Sequence, residues 1–159
     1  MAHWLDSDVL INAKNDAYGF DIAPGFWEFL EEGIGDQRFL ICDAVKTEII
    51  RIDDELSDWV RDLPNDSIIM PDQHVQTAYG TIADHIQDGG YPNRAKFLAG
   101  ADGWIIAHAQ VDEGTVVSQE VTAGNGPDAK VPDIGNRFGV QVIRRQRFMQ
   151  DLGVRLVRG

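Results

Sequence analysis

Short apolar runs that lead into an acid constrain this chain more than any other feature. His3-Trp4-Leu5 runs into Asp6, Phe39-Leu40-Ile41 is followed by Asp43 after a single cysteine, and Thr115-Val116-Val117-Ser118-Gln119 reaches Glu120. Runs this short suit buried strands, and the stretches between them space their apolar residues as helices do. Hairpin signals between the strands are scarce, so the pattern predicts an α/β fold with a central, mostly parallel sheet flanked by helices. In open sheets of that kind ligands bind outside the carboxyl ends of the strands, where these acids stand.

The intervening helices can be placed one by one. Pro24 suits the first turn of a helix with Phe26, Trp27, Phe29 and Leu30 on its apolar side, stopped by Gly33 and Gly35. Asp43 is expected to cap a helix holding Val45, Ile49 and Ile50 and carrying Glu48; a further helix buries Leu56, Trp59, Val60 and Leu63 and closes at Pro64. Ser67 to Met70 is extended, and a longer helix runs from about Pro71 to Gln87 with Val75, Tyr79, Ile82 and Ile86 inward. Asn93 to Leu98 forms a brief helix, Thr122 to Pro132 a mobile Gly/Pro/Asp-rich loop, and Val131 opens another short helix. Val140 to Ile143 reads as a strand, Gln146 to Leu152 as a helix and Val154 to Val157 as a last strand. Residues 1–159 suit one domain, with no internal repeat or linker.

The stretch Ala101 to Gln110 begins a helix that opens on Asp102 and is expected to end near Gly114; Asp102 lies over Ile105 and beside Ile106 and so points at the layer the helix packs on. A carboxylate there is either a helix cap or needs a cation or hydrogen bonds to compensate it. Strand-end Asp6 and Glu120 would meet above a parallel sheet, with Glu48 and Asp102 leaning over the same edge. Four carboxylates with no cationic side chain among them repel one another unless a divalent cation intervenes, and Mg²⁺ or Mn²⁺ prefers oxygen ligands. Such an ion can polarise a phosphodiester and acidify a bound water, so hydrolysis of a phosphate backbone is the chemistry this pattern points to.

Other candidates are weaker. Asp8 is expected to face solvent as a helix-start acid rather than to join Asp6, and Asn12 is either a carboxylate-orienting amide or a surface one. His74 and His85 sit on one helical face but about 16 Å apart along the axis, too far to share a metal. Cys42 reads as small buried filler, and a single cysteine forbids an internal disulfide. The net charge of −12 disfavours a broad phosphate-binding surface, although seven of the 14 basic residues (Lys130, Arg137, Arg144, Arg145, Arg147, Arg155, Arg158) fall in the last thirty positions and could form a basic edge. No apolar run approaches the ~18 residues of a membrane span and no basic-then-apolar leader opens the chain, which points to a cytoplasmic protein.

Leu5-Asp6-Ser7-Asp8-Val9-Leu10-Ile11, Val45-Lys46-Thr47-Glu48-Ile49, the Ala101-Asp102 helix and Val116-Val117-Ser118-Gln119-Glu120 resemble, in order and spacing, the PIN-domain nucleases, which include the VapC-type toxins of toxin–antitoxin systems. The run from Lys14-Asn15 through Tyr18-Gly19-Phe20 to Pro24-Gly25-Phe26-Trp27 looks like a less studied PIN-like subfamily of about this length. The resemblance implies a PIN-like fold in which Asp6, Glu48 and Asp102 bind metal, Glu120 is a fourth ligand acting directly or through water, and Ser118 hydrogen-bonds a carboxylate or the bound water. It also implies Mg²⁺-dependent endonucleolytic cleavage of RNA leaving a 3′-hydroxyl and a 5′-phosphate, homodimerisation, and silencing by a cognate antitoxin. Glu120 stands where many members have aspartate, and Asp8 adds a charge where a neutral polar residue is usual. Two other readings stay open: a non-catalytic PIN-like interaction protein, and a haloacid-dehalogenase-like phosphatase with Asp6 as nucleophile, in which Glu48 would be idle.

Overall fold

The computed structural model describes residues 2–16 and 18–154. Five strands, β1 (His3–Leu5), β2 (Phe39–Cys42), β3 (Ile68–Ile69), β4 (Thr115–Val117) and β5 (Gln141–Ile143), form one sheet in the order β3-β2-β1-β4-β5. Every pairing is parallel, with Trp4 opposite Leu40 on one side and Val116 on the other. The first three strands build outward in one direction and the last two in the other. The order therefore reverses between β1 and β4, which opens a crevice at their carboxyl ends.

Nine helices flank the sheet among the described residues: α1 (Ser7–Asn15), α2 (Pro24–Gly35), α3 (Asp43–Ile49), α4 (Glu55–Arg61), α5 (Gln73–Asp88), α6 (Arg94–Ala99), α7 (Asp102–Asp112), α8 (Val131–Arg137) and α9 (Arg145–Asp151). Neighbouring strand residues point to opposite faces, so His3 and Trp4 report the two layers. His3 meets Phe148 of α9 at 5.1 Å between ring centroids, and Phe148 and Phe29 of α2 both pack on Phe39. Trp4 stacks on His108 of α7 at 4.6 Å, and α7 in turn packs along α5. Both indole and helix are locked from below: Trp4 Nε1 donates to the two oxygens of Asp112 at 3.0 and 2.9 Å, and Asp112 also accepts from Gly114 N. Among the described residues no helix is long and apolar enough to cross a membrane.

Most predicted elements are present, with differences at their ends. Asp43 does not cap α3; it is the first helical residue, because β2 passes into the helix through an extended Cys42 without a polar turn residue, and Ile50 falls just past the helix end. α5 starts at Gln73 rather than Pro71 since the Asp72 carboxylate accepts from Val75 N at 2.9 Å and sets the start. The segment before α8 was expected to be mobile, yet it is tied down: Asn93 Nδ2 donates to Ala129 O at 2.8 Å while Ala129 N donates to Asn93 Oδ1 at 2.7 Å, and Ala123 N donates to Asp133. Cys42 is fully buried, and burial pushes its thiol up to about 12, as suits inert filler. Asn12 is an exposed surface amide. Apart from Val154, the expected last strand lies outside the described residues, as do Arg155 and Arg158.

Gly33 does not end α2 but lets it approach β2. A Cβ there would sit 2.1 Å from the ring of Phe39, which is fully buried among Phe29, Phe148 and His3, whereas a Cβ at Gly35 would meet nothing within 4 Å. Alanine gains up to about 1 kcal/mol of helix propensity over glycine, and overpacking costs about 1–3 kcal/mol. With so severe an overlap the clash wins. Urea unfolding of Gly33→Ala should show a net loss of about 1–2 kcal/mol, while Gly35→Ala should be neutral or slightly more stable.

Candidate active site at the strand crevice

β1 ends at Leu5, and Asp6 is the N-cap of α1, its carboxylate accepting from Ser7 N at 2.8 Å. The ladder continues one step further, since Asp6 N donates to Val117 O at 3.0 Å and Ser118 N donates to Ile143 O at 2.9 Å. Asp6 and Ser118 are thereby carried into the crevice from adjacent strand ends. Ser118 Oγ lies 3.0 Å from Asp6 Oδ2 and 3.2 Å from Asp8 Oδ2, and it accepts from Glu120 N at 3.2 Å. Asp8 does not face solvent as expected. Its other oxygen accepts from Gln119 N at 3.1 Å, so the first turn of α1 folds the side chain back over the end of β4.

One hydroxyl proton serves two carboxylates, and Asp6 is only 3% exposed. Burial pushes its carboxyl well above the usual range, and the charges of Asp8 and Asp102 push the same way against the hydrogen bonds from Ser118 and Ser7. Asp8 is raised chiefly by burial.

Glu48 comes from the far end of α3. Its Oε1 accepts from Ala101 N at 2.7 Å, and its Oε2 lies 3.5 Å from Ser7 Oγ, so Glu48 bridges the starts of α1 and α7. Asp102 is the first residue of α7, not its cap: the cap position is Ala101, and no side chain caps the helix. Among the described residues the Asp102 carboxylate receives no hydrogen bond. Burial, then the charges of Glu120, Glu48 and Asp8, raise its pKa to about 7, with Lys96 opposing. Glu120 accepts from Val131 N at 3.3 Å and lies 4.0 Å from Lys130 Nζ; burial is the main cause of its raised pKa.

All five predicted site residues thus belong to one neighbourhood. Ser118 bonds Asp6, Glu48 is tied to the residue before Asp102, and Asp102 feels the charges of both glutamates. The donor set consists of carboxylate oxygens, suited to a hard divalent cation. It is an open set: among the described residues no three acids, histidines or cysteines are drawn close enough to hold an ion as they stand.

Sequence reasoning missed three participants. Asp8 was assigned to solvent, Ala101 contributes through its backbone, and Gln119 both donates to Asp8 and accepts from Arg145 N at 2.8 Å. A polar residue between two candidate ligands was the one signal available for Gln119. The expected basic edge is weaker than its composition suggests. Arg145 is 7% exposed, with its guanidinium 4.8 Å over Tyr18 and Nη1 buried without a hydrogen bond, and Arg147 pairs with Asp151 at 3.5 Å.

Asp102 makes stability depend on pH. Below about pH 4 it is protonated in both folded and unfolded chains; as pH rises toward 7 the unfolded chain ionises it first, so folding loses stability across that window. The full effect is on the order of 4 kcal/mol, and each kcal/mol is about 2–4 °C of Tm for a chain of this size. Thermal melts in metal-free buffer should show Tm falling from pH 4 to pH 7 in the wild type and a flatter profile, with a higher Tm at pH 8, in Asp102→Ala. A large drop in Tm for Asp102→Ala would assign the side chain a stabilising role at the helix start instead.

No protein of curated function matches the sequence. In fold, the chain is similar to a chain of VapBC2 from Rickettsia felis, in a structure bound to a DNA fragment from their promoter, with TM-score 0.54 at 12% identity over 91% of this chain and 98% of that one. It is likewise similar to a chain of FitAcB from Neisseria gonorrhoeae, with TM-score 0.52 at 15% identity over 89% and 96% of the two chains. The likeness is one of architecture, the PIN-like fold that the sequence resemblance implies. Over residues 3–156 the sequence matches the family described as Domain of unknown function (DUF4411), and the chain belongs to that family.

Proposed function

We propose that the chain is a Mg²⁺- or Mn²⁺-dependent endoribonuclease of the PIN type, acting as the toxin of a toxin–antitoxin pair. The observation that supports this reading is that Asp6, Glu48, Asp102 and Glu120 border the same crevice at the strand ends, with Ser118 hydrogen-bonded to Asp6, Glu48 tied to the residue before Asp102, and Asp102 within reach of the charges of both glutamates. Asp6, Glu48 and Asp102 would hold the ion, and Glu120, engaged by Val131 N, would reach it through water. A divalent cation held by these residues would supply Lewis-acid polarisation of a phosphodiester and a more acidic water, the chemistry needed for hydrolysis to a 3′-hydroxyl and a 5′-phosphate.

The chain's own residues prepare that site. Ser118 fixes the Asp6 rotamer, Ala101 N clamps one oxygen of Glu48, and α7, buried along most of its length, holds Asp102 in place. The antitoxin partner is supported by the fold shared with VapBC2 and FitAcB, and homodimerisation rests on the sequence resemblance alone.

The phosphatase reading fits less well, because Glu48 is built into the site and Asp6 is nearly inaccessible as a nucleophile. The −12 charge favours a non-catalytic interaction protein, and the same experiment decides between them. Cleavage of a mixed RNA pool in Mn²⁺ should fall at least about 100-fold in Asp6→Asn and Asp102→Asn, and about 10–100-fold in Ser118→Ala, which removes only an orienting hydrogen bond. Equal cleavage by wild type and Asp6→Asn would trace the activity to a contaminant and remove the ribonuclease reading.

A further inference from the structure

Beside the acidic cluster lies a cleft of about 320 Å³, bordered by Glu48, Arg51, Met70, Leu98, Trp104 and His108. A second of about 430 Å³, bordered by Trp4, Leu40, Ile69 and Val75, shares Met70 and His108 with it, so the two adjoin along one face of α7. Both volumes lie in the range of about 300–1,000 Å³ typical of small-ligand sites.

Trp104 is the unusual member. The other three tryptophans each spend their indole N–H on a partner: Trp4 on Asp112, Trp27 on Tyr18 O and Trp59 on Glu31. Among the described residues the Trp104 N–H has none. Its ring is nonetheless held rigidly, stacked on Tyr79 with centroids 3.7 Å apart and planes 1° from parallel. One turn further along α7, His108 is fixed against Trp4, and burial keeps it neutral by pulling its pKa down to about 4. Met70 is 64% exposed at the rim, and the guanidinium of Arg51 makes no ion pair among the described residues.

We propose that this cleft binds an unpaired nucleobase of single-stranded RNA next to the phosphate presented to the acidic cluster, with Trp104 as the stacking wall and Arg51 on a flanking phosphate. Its place relative to the scissile phosphate rests on the ribonuclease reading; the binding itself does not. A body of charge −12 repels an RNA backbone, and affinity drawn from many phosphate contacts is closed to it. Stacking on a preordered aromatic ring is indifferent to that charge and tolerant of sequence. The cleft therefore supplies what the surface lacks.

The test uses the full chain as Asp6→Asn in Mg²⁺, so that the strand stays intact, and measures anisotropy of a labelled five-residue oligoadenylate and of an abasic strand of equal length. The base-bearing strand should bind about tenfold or more tighter than the abasic one. Trp104→Ala should bring the two together, Trp104→Phe should keep most of the difference, and Met70→Asp, at an exposed position where folding is not at issue, should also weaken the base-bearing strand. With a single cation contributing, log K against log salt should have a slope of about −0.7. Equal binding of the two strands, no binding of either, or wild-type affinity in both Met70→Asp and a folded Trp104→Ala would overturn the proposal. The two readings fail separately: base-dependent binding without cleavage by the wild-type chain removes the ribonuclease and leaves the cleft. Metal-dependent cleavage with unchanged KM in both Met70→Asp and a folded Trp104→Ala removes the cleft and leaves the ribonuclease.

Discussion

A buried carboxylate, Asp6, and a half-buried one, Asp8, share one serine hydroxyl where β1 and β4 end side by side, and the fold around them is arranged so that this contact survives. Asp6 sits at the positive end of α1 and caps it, which recovers part of what burial costs an anion. Ser118 donates to one carboxylate at a time, while the backbone of Gln119 supports the other. Because β1 and β4 are in register from His3 with Thr115 to Leu5 with Val117, the two ends arrive at the same height without a loop having to place them.

Positions further out depend on the core in the same way. Ile105 and Ile106 are fully buried, so α7 is fixed by packing and Asp102 cannot retreat from its neighbours by moving its helix. Glu48 is fixed by an amide at the start of that helix, and its α3 begins directly from β2. The outcome is a packed scaffold carrying a patch of like charges near Asp102, opposed among the described residues by exposed Lys96 and half-buried Lys130. Proteins bear such strain where a ligand relieves it, and a cation would relieve this one.

Charge and shape divide the surface between them. Arg145, which composition alone would assign to a basic rim, is folded over Tyr18 and lost to solvent, and Arg147 is taken up by Asp151. What remains beside the acids is an aromatic cleft built on α7, where spacing by four places Trp104 and His108 on one face.

Much of this was readable from the chain itself. Apolar runs of three to five residues ending near acids mark β1, β2 and β4, apolar spacing marks the helices, and the positions of the four acids and Ser118 at strand and helix ends are visible in the sequence. These are local properties, decided by which side chains lie two or four positions apart. The pattern is silent on strand order, and strand order is what brings Ser118 to Asp8 across 110 positions. The inward turn of Asp8, the burial of Arg145 and the Trp104 N–H left without a hydrogen bond among the described residues were decided only by tertiary structure, because each depends on which distant backbone or ring happens to fill the space beside it.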